Sequence, residues 1–325
     1  MTKKEICLSD TRDDVFEYLT NFNSNFFRTH FKKTDNELTN LYATDEKEVC
    51  QKLINIIEYE NLYLKKSFFD LGGILGLGFA NKMIFSKNSY INKHADKKTF
   101  ELNNLNSFLD VLKPDTKYAY LDCFQDTCGF EILDLDFLKE VDKVCQEKNI
   151  KLILNETSVM CFNIENFAFY KAKIKPFLII FNFGLPKFYD FYCFASNFKF
   201  KTENDKIPIS YCMANEVLTK YSKPEMIEFY RLRKYIRQYL EIIHQDHPKI
   251  VKEQKFFRNI VAFDILDGFD ANEINIFLKN HGIVADVIPP NTLKFSLPVH
   301  ANKSLIDFFY EKVDVSFFLY KKFMG

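Results

Sequence analysis

The feature that most constrains the fold is an alternation of short apolar segments with amphipathic ones between residues 118 and 195. Four segments have the length and apolar content of buried strands: 118–124 (YAYLDCF), 151–154 (KLIL), 177–181 (FLIIF) and 188–195. Residues 135–148 lie between the first two, and their apolar side chains recur with helical spacing. Strands that alternate with helices favour a mainly parallel sheet covered by helices, so we expect an α/β fold.

The C-terminal part of the chain has a different pattern, in which helices and strands mix without regular alternation. We predict helices at 209–244, 272–280 and 303–312, and strands at 260–265, 283–287 and 292–295. This pattern is typical of a small α+β domain. We therefore expect an N-terminal arm and helix over residues 1–65, a large α/β domain over 66–218 and a small α+β domain over 219–325.

Composition excludes several classes of protein. The 44 Lys and Arg balance the 44 Asp and Glu, which argues against a dedicated nucleic-acid binder. No apolar run reaches the roughly 20 residues that a membrane span needs, and no signal peptide is seen. The eight cysteines form no CxxC pair, and His244 and His247 have no partners at zinc-ligand spacing, so we expect reduced thiols and no metal. A cytoplasmic protein is the simplest interpretation.

A cluster of glycines between residues 70 and 78 has two interpretations. Four of the nine glycines lie there, among them Gly72 and Gly73. Their backbone amides are suited to cradling a phosphate at the start of a helix. The alternative is a close-packed turn without a ligand, because no hydroxyl or lysine accompanies the glycines.

The segment 121–156 connects this chain to a known family. Gln125 and Gly129 match the Gln and the last Gly of a Glu-Pro-x-Gln-Gly-Glu-Gly-Gly turn, and Asn155-Glu156 falls on an Asp-Glu pair. The segment thus resembles, without a gap, the class III aminotransferases of the acetylornithine and ornithine type. Similar flanks extend the resemblance over roughly residues 40 to 320. It implies the fold type I of pyridoxal-phosphate-dependent transferases, with a large α/β domain and a small C-terminal one.

The resemblance also implies where the cofactor chemistry of such an enzyme would lie. Pyridoxal phosphate needs a lysine that forms an imine and a carboxylate that pairs with the pyridinium nitrogen. The family's lysine position falls on Phe183, and the nearest lysine is Lys187. The family's aspartate position falls on Asn155, whose amide cannot supply a negative charge. Glu156 beside it has a role either as an acid or as the partner of a local backbone or dimer contact.

The remaining positions implied by the resemblance concern binding. Gly72 falls where the family has the serine of its phosphate loop, so Gly72 and Gly73 keep backbone amides but no hydroxyl. Gln125 and Asn155 are candidate cofactor contacts. Lys294 falls where the family has the arginine that binds the substrate carboxylate; it keeps the charge but loses the two-pronged geometry.

Two functional hypotheses follow from these positions. The first is a degenerate class III aminotransferase, a pseudoenzyme without cofactor that survives as a structural, binding or regulatory paralogue. The second is a divergent acetylornithine-type aminotransferase that uses pyridoxal phosphate through Lys187 or another lysine. In either case the resemblance implies a homodimer.

Overall fold

The computed structural model describes part of the 325-residue chain: residues 6–7, 59–65, 82–89, 98–125, 128–157, 167–181, 192–200, 224–257, 259–297 and 301–324. At residues 6–7, 64–65 and 224–230 only the backbone is described. The chain divides into two compact units. The larger unit comprises residues 15–125 and 131–220, and the C-terminal unit comprises 221–325 with the short pieces 1–14 and 126–130. The expected domain boundaries remain predictions, because the residues around 66 and 218 lie outside the described ranges.

The described residues contain fifteen strands and six helices. The strands are β1 (Ile6–Cys7), β2 (Asn61–Lys65), β3 (Met83–Ser86), β4 (Thr99–Phe100), β5 (Tyr118–Asp122), β6 (Phe124–Gln125), β7 (Glu131–Ile132), β8 (Lys151–Asn155), β9 (Leu178–Phe181), β10 (Tyr192–Ser196), β11 (Val251–Phe257), β12 (Ile260–Ile265), β13 (Ile283–Val284), β14 (Asp286–Ile288) and β15 (Thr292–Ser296). The helices are α1 (Leu105–Asp110), α2 (Leu135–Glu147), α3 (Ala168–Ala172), α4 (Pro224–Asp246), α5 (Ala271–Asn280) and α6 (Lys303–Met324).

Seven strands of the larger unit form one sheet in the order β2-β10-β9-β8-β5-β3-β4. Strands β4, β3, β5, β8 and β9 run parallel to their neighbours in this group. Strand β10 runs antiparallel to both β9 and β2. The prediction of a mainly parallel sheet is confirmed. The reversal of β10 was not predicted, since a buried strand has the same apolar pattern in either direction.

The central strands are apolar because both of their faces are buried. All five residues of β5 and all four of β9 are buried, and in β8 only Lys151 is exposed. A parallel strand covered on both sides lacks the alternation of polar and apolar residues that marks a half-exposed strand. Burial on both faces therefore explains the continuous apolar runs from which the strands were predicted.

Helix α2 shows how the local sequence sets the helix boundaries. The Asp134 side chain accepts hydrogen bonds from the backbone N–H groups of Asp136 and Phe137 at 2.8 and 2.9 Å, which satisfies two donors that the first turn leaves free. The buried side chains of Leu138 and Val141 lie on one face of the helix. This helix was predicted to within one residue.

The C-terminal unit has a four-stranded antiparallel sheet in the order β11-β12-β15-β14. The apolar faces of α4, α5 and α6 and the inward side chains of β12 and β15 form one core. Phe263 and Phe295 from the sheet and Phe309 and Phe317 from α6 are among its largest members. The mixture of helices and strands agrees with the predicted α+β pattern.

The last helix is longer than predicted. We predict its end near residue 312, but α6 continues to Met324. Val313, Phe317 and Tyr320 are all buried at helical spacing and extend the apolar face into the core. β-Branched and aromatic residues lower intrinsic helix propensity, but tertiary burial of this face outweighs that preference.

Six of the described strands were not predicted: β1, β2, β3, β4, β7 and β11. Strand β3 has only four residues, and a run this short is not distinctive in sequence. Strand β11 carries polar and charged side chains along most of its length because it lies at the edge of its sheet. Within the described residues, no helix combines the length and apolar character of a membrane span.

The extension of α6 can be tested with two neighbouring phenylalanines. Phe317 is fully buried and its ring lies 5.6 Å from that of Phe263, whereas Phe318 is 59% exposed. Replacement of Phe317 by alanine leaves a cavity, so we expect Phe317→Ala to lower the free energy of unfolding by about 3–5 kcal/mol in urea denaturation. The matched control Phe318→Ala should change it by no more than about 0.5 kcal/mol. Equal losses for the two variants would contradict this packing.

Candidate functional site

The carboxyl ends of three parallel strands bring polar side chains together in the larger unit. Ser86 ends β3, Asp122 ends β5 and Asn155 ends β8, and Asp122 and Asn155 are directly paired across the two strands. All three are buried, with no more than 5% of each residue exposed. In open α/β sheets the carboxyl ends of the strands are where ligands bind.

Asp122 is the centre of this group. Its Oδ1 atom accepts hydrogen bonds from the Asn155 amide at 2.6 Å and from the Tyr120 hydroxyl at 3.0 Å. Its Oδ2 atom accepts a long hydrogen bond of 3.5 Å from the Ser86 hydroxyl. The two carboxylate oxygens are therefore unequally satisfied.

Burial controls the ionisation of this carboxylate. Removal from water raises the pKa of Asp122, and the donors around it, Ser89, Asn155, Tyr120 and Gln125, oppose that rise only in part. The pKa of the Tyr120 hydroxyl is also raised, first by burial and then by the adjacent carboxylate. Asp122 is therefore harder to ionise than an exposed aspartate.

Two further buried side chains lie beside Asp122 and have polar atoms without a hydrogen bond of good geometry. Gln125 donates from Nε2 to the Ser86 hydroxyl at 2.6 Å, but its Oε1 atom has no hydrogen-bond partner among the described residues. The Ser89 hydroxyl is also without a well-formed hydrogen bond, although it is close enough to Asp122 to lower its pKa. Both residues are 2% exposed.

Asn155 is engaged on both sides of its amide. Its Nδ2 atom donates to Asp122, and its Oδ1 atom accepts the backbone N–H of Thr157 at 3.1 Å. The site thus brings together two residues singled out by the sequence, Gln125 and Asn155, around an aspartate that the sequence analysis did not single out.

Glu156 performs a structural task. Both of its carboxylate oxygens accept the backbone N–H of Ala168 at 2.9 Å, and Oε1 also accepts that of Phe169 at 3.3 Å. The side chain therefore satisfies donors at the start of α3. Of the two roles considered for Glu156, the local backbone contact is the one observed.

Lys294 lies in the C-terminal unit on the polar face of the four-stranded sheet. Its ammonium group is 3.3 Å from Asp286, and 14% of its side chain is exposed. The same row across the sheet contains Lys255, which is 2.7 Å from Asp264. The charge of Lys294 is thus already opposed by an acid of its own unit.

The other predicted positions lie outside the described residues. These are Gly72 and Gly73 of the glycine cluster, Phe183 at the family's lysine position, and Lys187. Among the residues that are described, no group of three or more His, Cys, Asp or Glu side chains is arranged to hold a metal ion.

The residues that sequence reasoning missed are Ser86, Ser89, Tyr120 and Asp122. A signal for Asp122 was present, because it is the acidic residue that closes an apolar strand immediately before the Gln125 turn. Ser86 and Ser89 gave no usable signal, since strand β3 was not recognised.

Comparison with known proteins agrees with this architecture. The fold matches the ornithine aminotransferase of Toxoplasma gondii with a TM-score of 0.73 and 14% sequence identity, over 86% of this chain and 76% of that one. It matches the ornithine delta-aminotransferase of Plasmodium falciparum with a TM-score of 0.73 and 13% identity, over 95% and 84% of the two chains. It matches the N-acetylornithine aminotransferase of Stenotrophomonas maltophilia with a TM-score of 0.70 and 13% identity, over 89% and 87%.

No protein-family model and no curated protein matches the sequence. At 13–14% identity the structural matches show the fold alone. The chain therefore has the fold of pyridoxal-phosphate-dependent aminotransferases, as the resemblance implied.

The ionisation of Asp122 makes a prediction about stability. Because its folded-state pKa is raised, Asp122 contributes most to stability below the ordinary aspartate pKa of about 3.9. That contribution is lost as the pH rises through the folded-state pKa. We therefore expect Asp122→Asn to become more stable relative to the native chain as the pH rises, and the difference in their free energies of unfolding then to level off. The buffers contain only bulky organic cations.

The measurement is urea denaturation of both proteins across the acid-to-neutral range. Asp136→Asn, at a carboxylate whose side chain is 86% exposed, is the control and should follow the native curve. A difference between native chain and Asp122→Asn that stays constant with pH would contradict the raised pKa.

Proposed function

We propose that this chain is a class III aminotransferase-like protein that has lost pyridoxal phosphate catalysis and acts as a structural, binding or regulatory paralogue. The observation that carries the proposal is the engagement of Asn155. In an aminotransferase the cofactor acts as an electron sink because an anion stabilises its protonated ring nitrogen. The solved Toxoplasma enzyme carries pyridoxal phosphate at partial occupancy in its active site.

The described residues at the ring-nitrogen position do not fit this cofactor. The Asn155 amide is neutral, its N–H group is donated to Asp122 and its oxygen accepts a backbone N–H. It offers no anion to a pyridinium. No other side chain of the site that the structure describes is placed to take over this role, and we assign no catalytic step to these residues.

Asp122 is not a ready substitute for the missing acid. Its Oδ1 atom already accepts two hydrogen bonds, and the residue is only 2% exposed, which leaves no access for a group as large as a pyridinium ring. At the level of sequence, Phe183 at the family's lysine position supports the same proposal, since a phenyl ring cannot form an imine.

The absence of cofactor chemistry can be tested directly. We expect that purified protein mixed with pyridoxal phosphate develops no visible imine absorbance and that borohydride reduction followed by peptide mass analysis finds no pyridoxyl-lysine. Authentic acetylornithine aminotransferase, treated in parallel, is the positive control. A pyridoxyl group on Lys187, with an absorbance shift on adding an amino donor, would support the divergent aminotransferase instead.

Assembly and location complete the proposal. We propose a homodimer, and exposed apolar side chains on the larger unit, such as Leu109, Tyr170 and Phe198, offer apolar surface for it.

The cytoplasm is the proposed location. The buried Cys145, whose pKa is raised to about 12 by burial, is an inert thiol of the kind that a reducing compartment preserves. The zero net charge supports the view that neither nucleic acid nor membrane is a partner.

The dimer is tested by light scattering coupled to size-exclusion chromatography. At micromolar concentration we expect twice the chain mass of 38.5 kDa, because interfaces of obligate dimers commonly bury more than about 2,000 Å² and persist at such concentrations. A single species at the monomer mass would contradict the proposal.

A further inference from the structure

The buried carboxylate of Asp122 has partners but no described counter-charge. It is 2% exposed, and its hydrogen-bond partners are a tyrosine hydroxyl, an amide and a serine hydroxyl. None of the ion pairs among the described residues includes it, and no positive charge is among the causes of its shifted pKa. A buried carboxylate without a counter-charge is costly unless a proton or a cation neutralises it.

The hydrogen bonds around Asp122 leave one side of the group unsatisfied. Oδ1 receives two donors at 2.6 and 3.0 Å, whereas the one hydrogen bond to Oδ2 from the described residues is the 3.5 Å contact with Ser86; Ser89 and Gln125 are near enough to lower the Asp122 pKa. Gln125 Oε1 and Ser89 Oγ have no hydrogen-bond partner in the part of the chain that the structure describes, and their side chains adjoin the same carboxylate. Among the described residues, Asp122 Oδ2, Gln125 Oε1 and Ser89 Oγ therefore lack strong donors in one buried place, and Ser86 Oγ, which accepts from Gln125 Nε2 at 2.6 Å, lies beside them.

We propose that these four oxygens, Asp122 Oδ2, Ser86 Oγ, Ser89 Oγ and Gln125 Oε1, form a binding site for one small monovalent cation, for which K⁺, Na⁺ and NH₄⁺ are the candidates. We call this set the oxygen cluster. Its members are a carboxylate, two hydroxyls and an amide carbonyl, which are the oxygen donors that hard cations select. The single carboxylate matches a single positive charge. Ca²⁺ and Mg²⁺ favour sites with more carboxylates or with several retained waters.

Burial limits the size of the occupant. All four side chains of the oxygen cluster are no more than 2% exposed, so a bulky organic cation is excluded by size. A proton on Asp122 would supply one O–H donor and could satisfy only one of Gln125 Oε1 and Ser89 Oγ, whereas a cation could be bound by both oxygens. The inference concerns binding only and holds whether or not the chain has lost catalysis.

The test is the thermal unfolding of the full chain, followed by circular dichroism, in chloride salts of K⁺, Na⁺, NH₄⁺ and tetramethylammonium at the same ionic strength. We expect at least one small cation at about 150 mM to raise Tm by about 2–4 °C over tetramethylammonium, with a saturable dependence on its concentration. Asp122→Asn should abolish this difference. Asp142→Asn, which removes another carboxylate with a burial-raised pKa, bound to Gln146 on α2, is the matched control and should keep it.

A second variant keeps the test decisive if Asp122→Asn does not fold. Ser89→Ala removes one oxygen ligand and should raise the cation concentration at half-maximal stabilisation by about fivefold or more. The proposal is overturned if the native chain has the same Tm in all four salts, or if Ser89→Ala and Asp122→Asn keep the full cation response. The pyridoxal phosphate labelling above is a separate readout, so failure of one proposal does not imply failure of the other.

Discussion

The burial of the Asp122 carboxylate is the constraint on which the carboxyl edge of the large sheet depends. Removing a charged group from water is unfavourable, so the surrounding chain must supply donors. The donors are Tyr120 from the same strand, β5, and two residues from other strands, Asn155 of β8 and Ser86 at the end of β3. If one donor were lost, the Asp122 carboxylate would accept fewer hydrogen bonds and would depend more strongly on the remaining donors. The residues at this edge are therefore energetically coupled to one another.

The carboxyl edge of the large sheet lies on a scaffold that other proteins share. The strand order and the reversed β10 belong to a fold shared with ornithine and acetylornithine aminotransferases. Fold alone does not determine function, which depends on the residues placed at the strand ends. We predict from the resemblance that Asn155 stands where the aminotransferases have an acid, and the neighbouring buried acid, Asp122, is hydrogen-bonded by neutral groups of the chain itself.

In the C-terminal unit, charged side chains also have partners within the chain, but on a more exposed surface. Lys255 and Lys294 lie in one row across the sheet, and each is close to an acid of the unit, Asp264 and Asp286 respectively. These ion pairs lower the free-energy cost of partly burying the charged side chains. It also means that any anion binding at Lys294 would have to compete with Asp286.

Much of the fold was predictable from the sequence. Strands β5, β8 and β9 are buried on both faces and therefore have continuous apolar runs, whereas α2 is buried on one face and therefore has apolar residues at helical spacing. The candidate site was predictable only in part. Gln125 and Asn155 were singled out by resemblance, whereas Ser86 ends, and Ser89 follows, a strand too short to recognise. The extension of α6 to Met324 was missed because the burial of its apolar face depends on elements distant in sequence.

The sequence by itself determined the α/β class, the positions of the central strands and the neutral side chain at residue 155. Only the tertiary structure decided that Asp122 lies at the centre of the site, without a described counter-charge and with one oxygen poorly satisfied. The physical reason is that periodicity records whether a residue is buried, but not which other residues it meets. The hydrogen bonds of Asp122 join residues up to 36 positions apart, and that proximity exists only once the parallel strands have aligned their carboxyl ends.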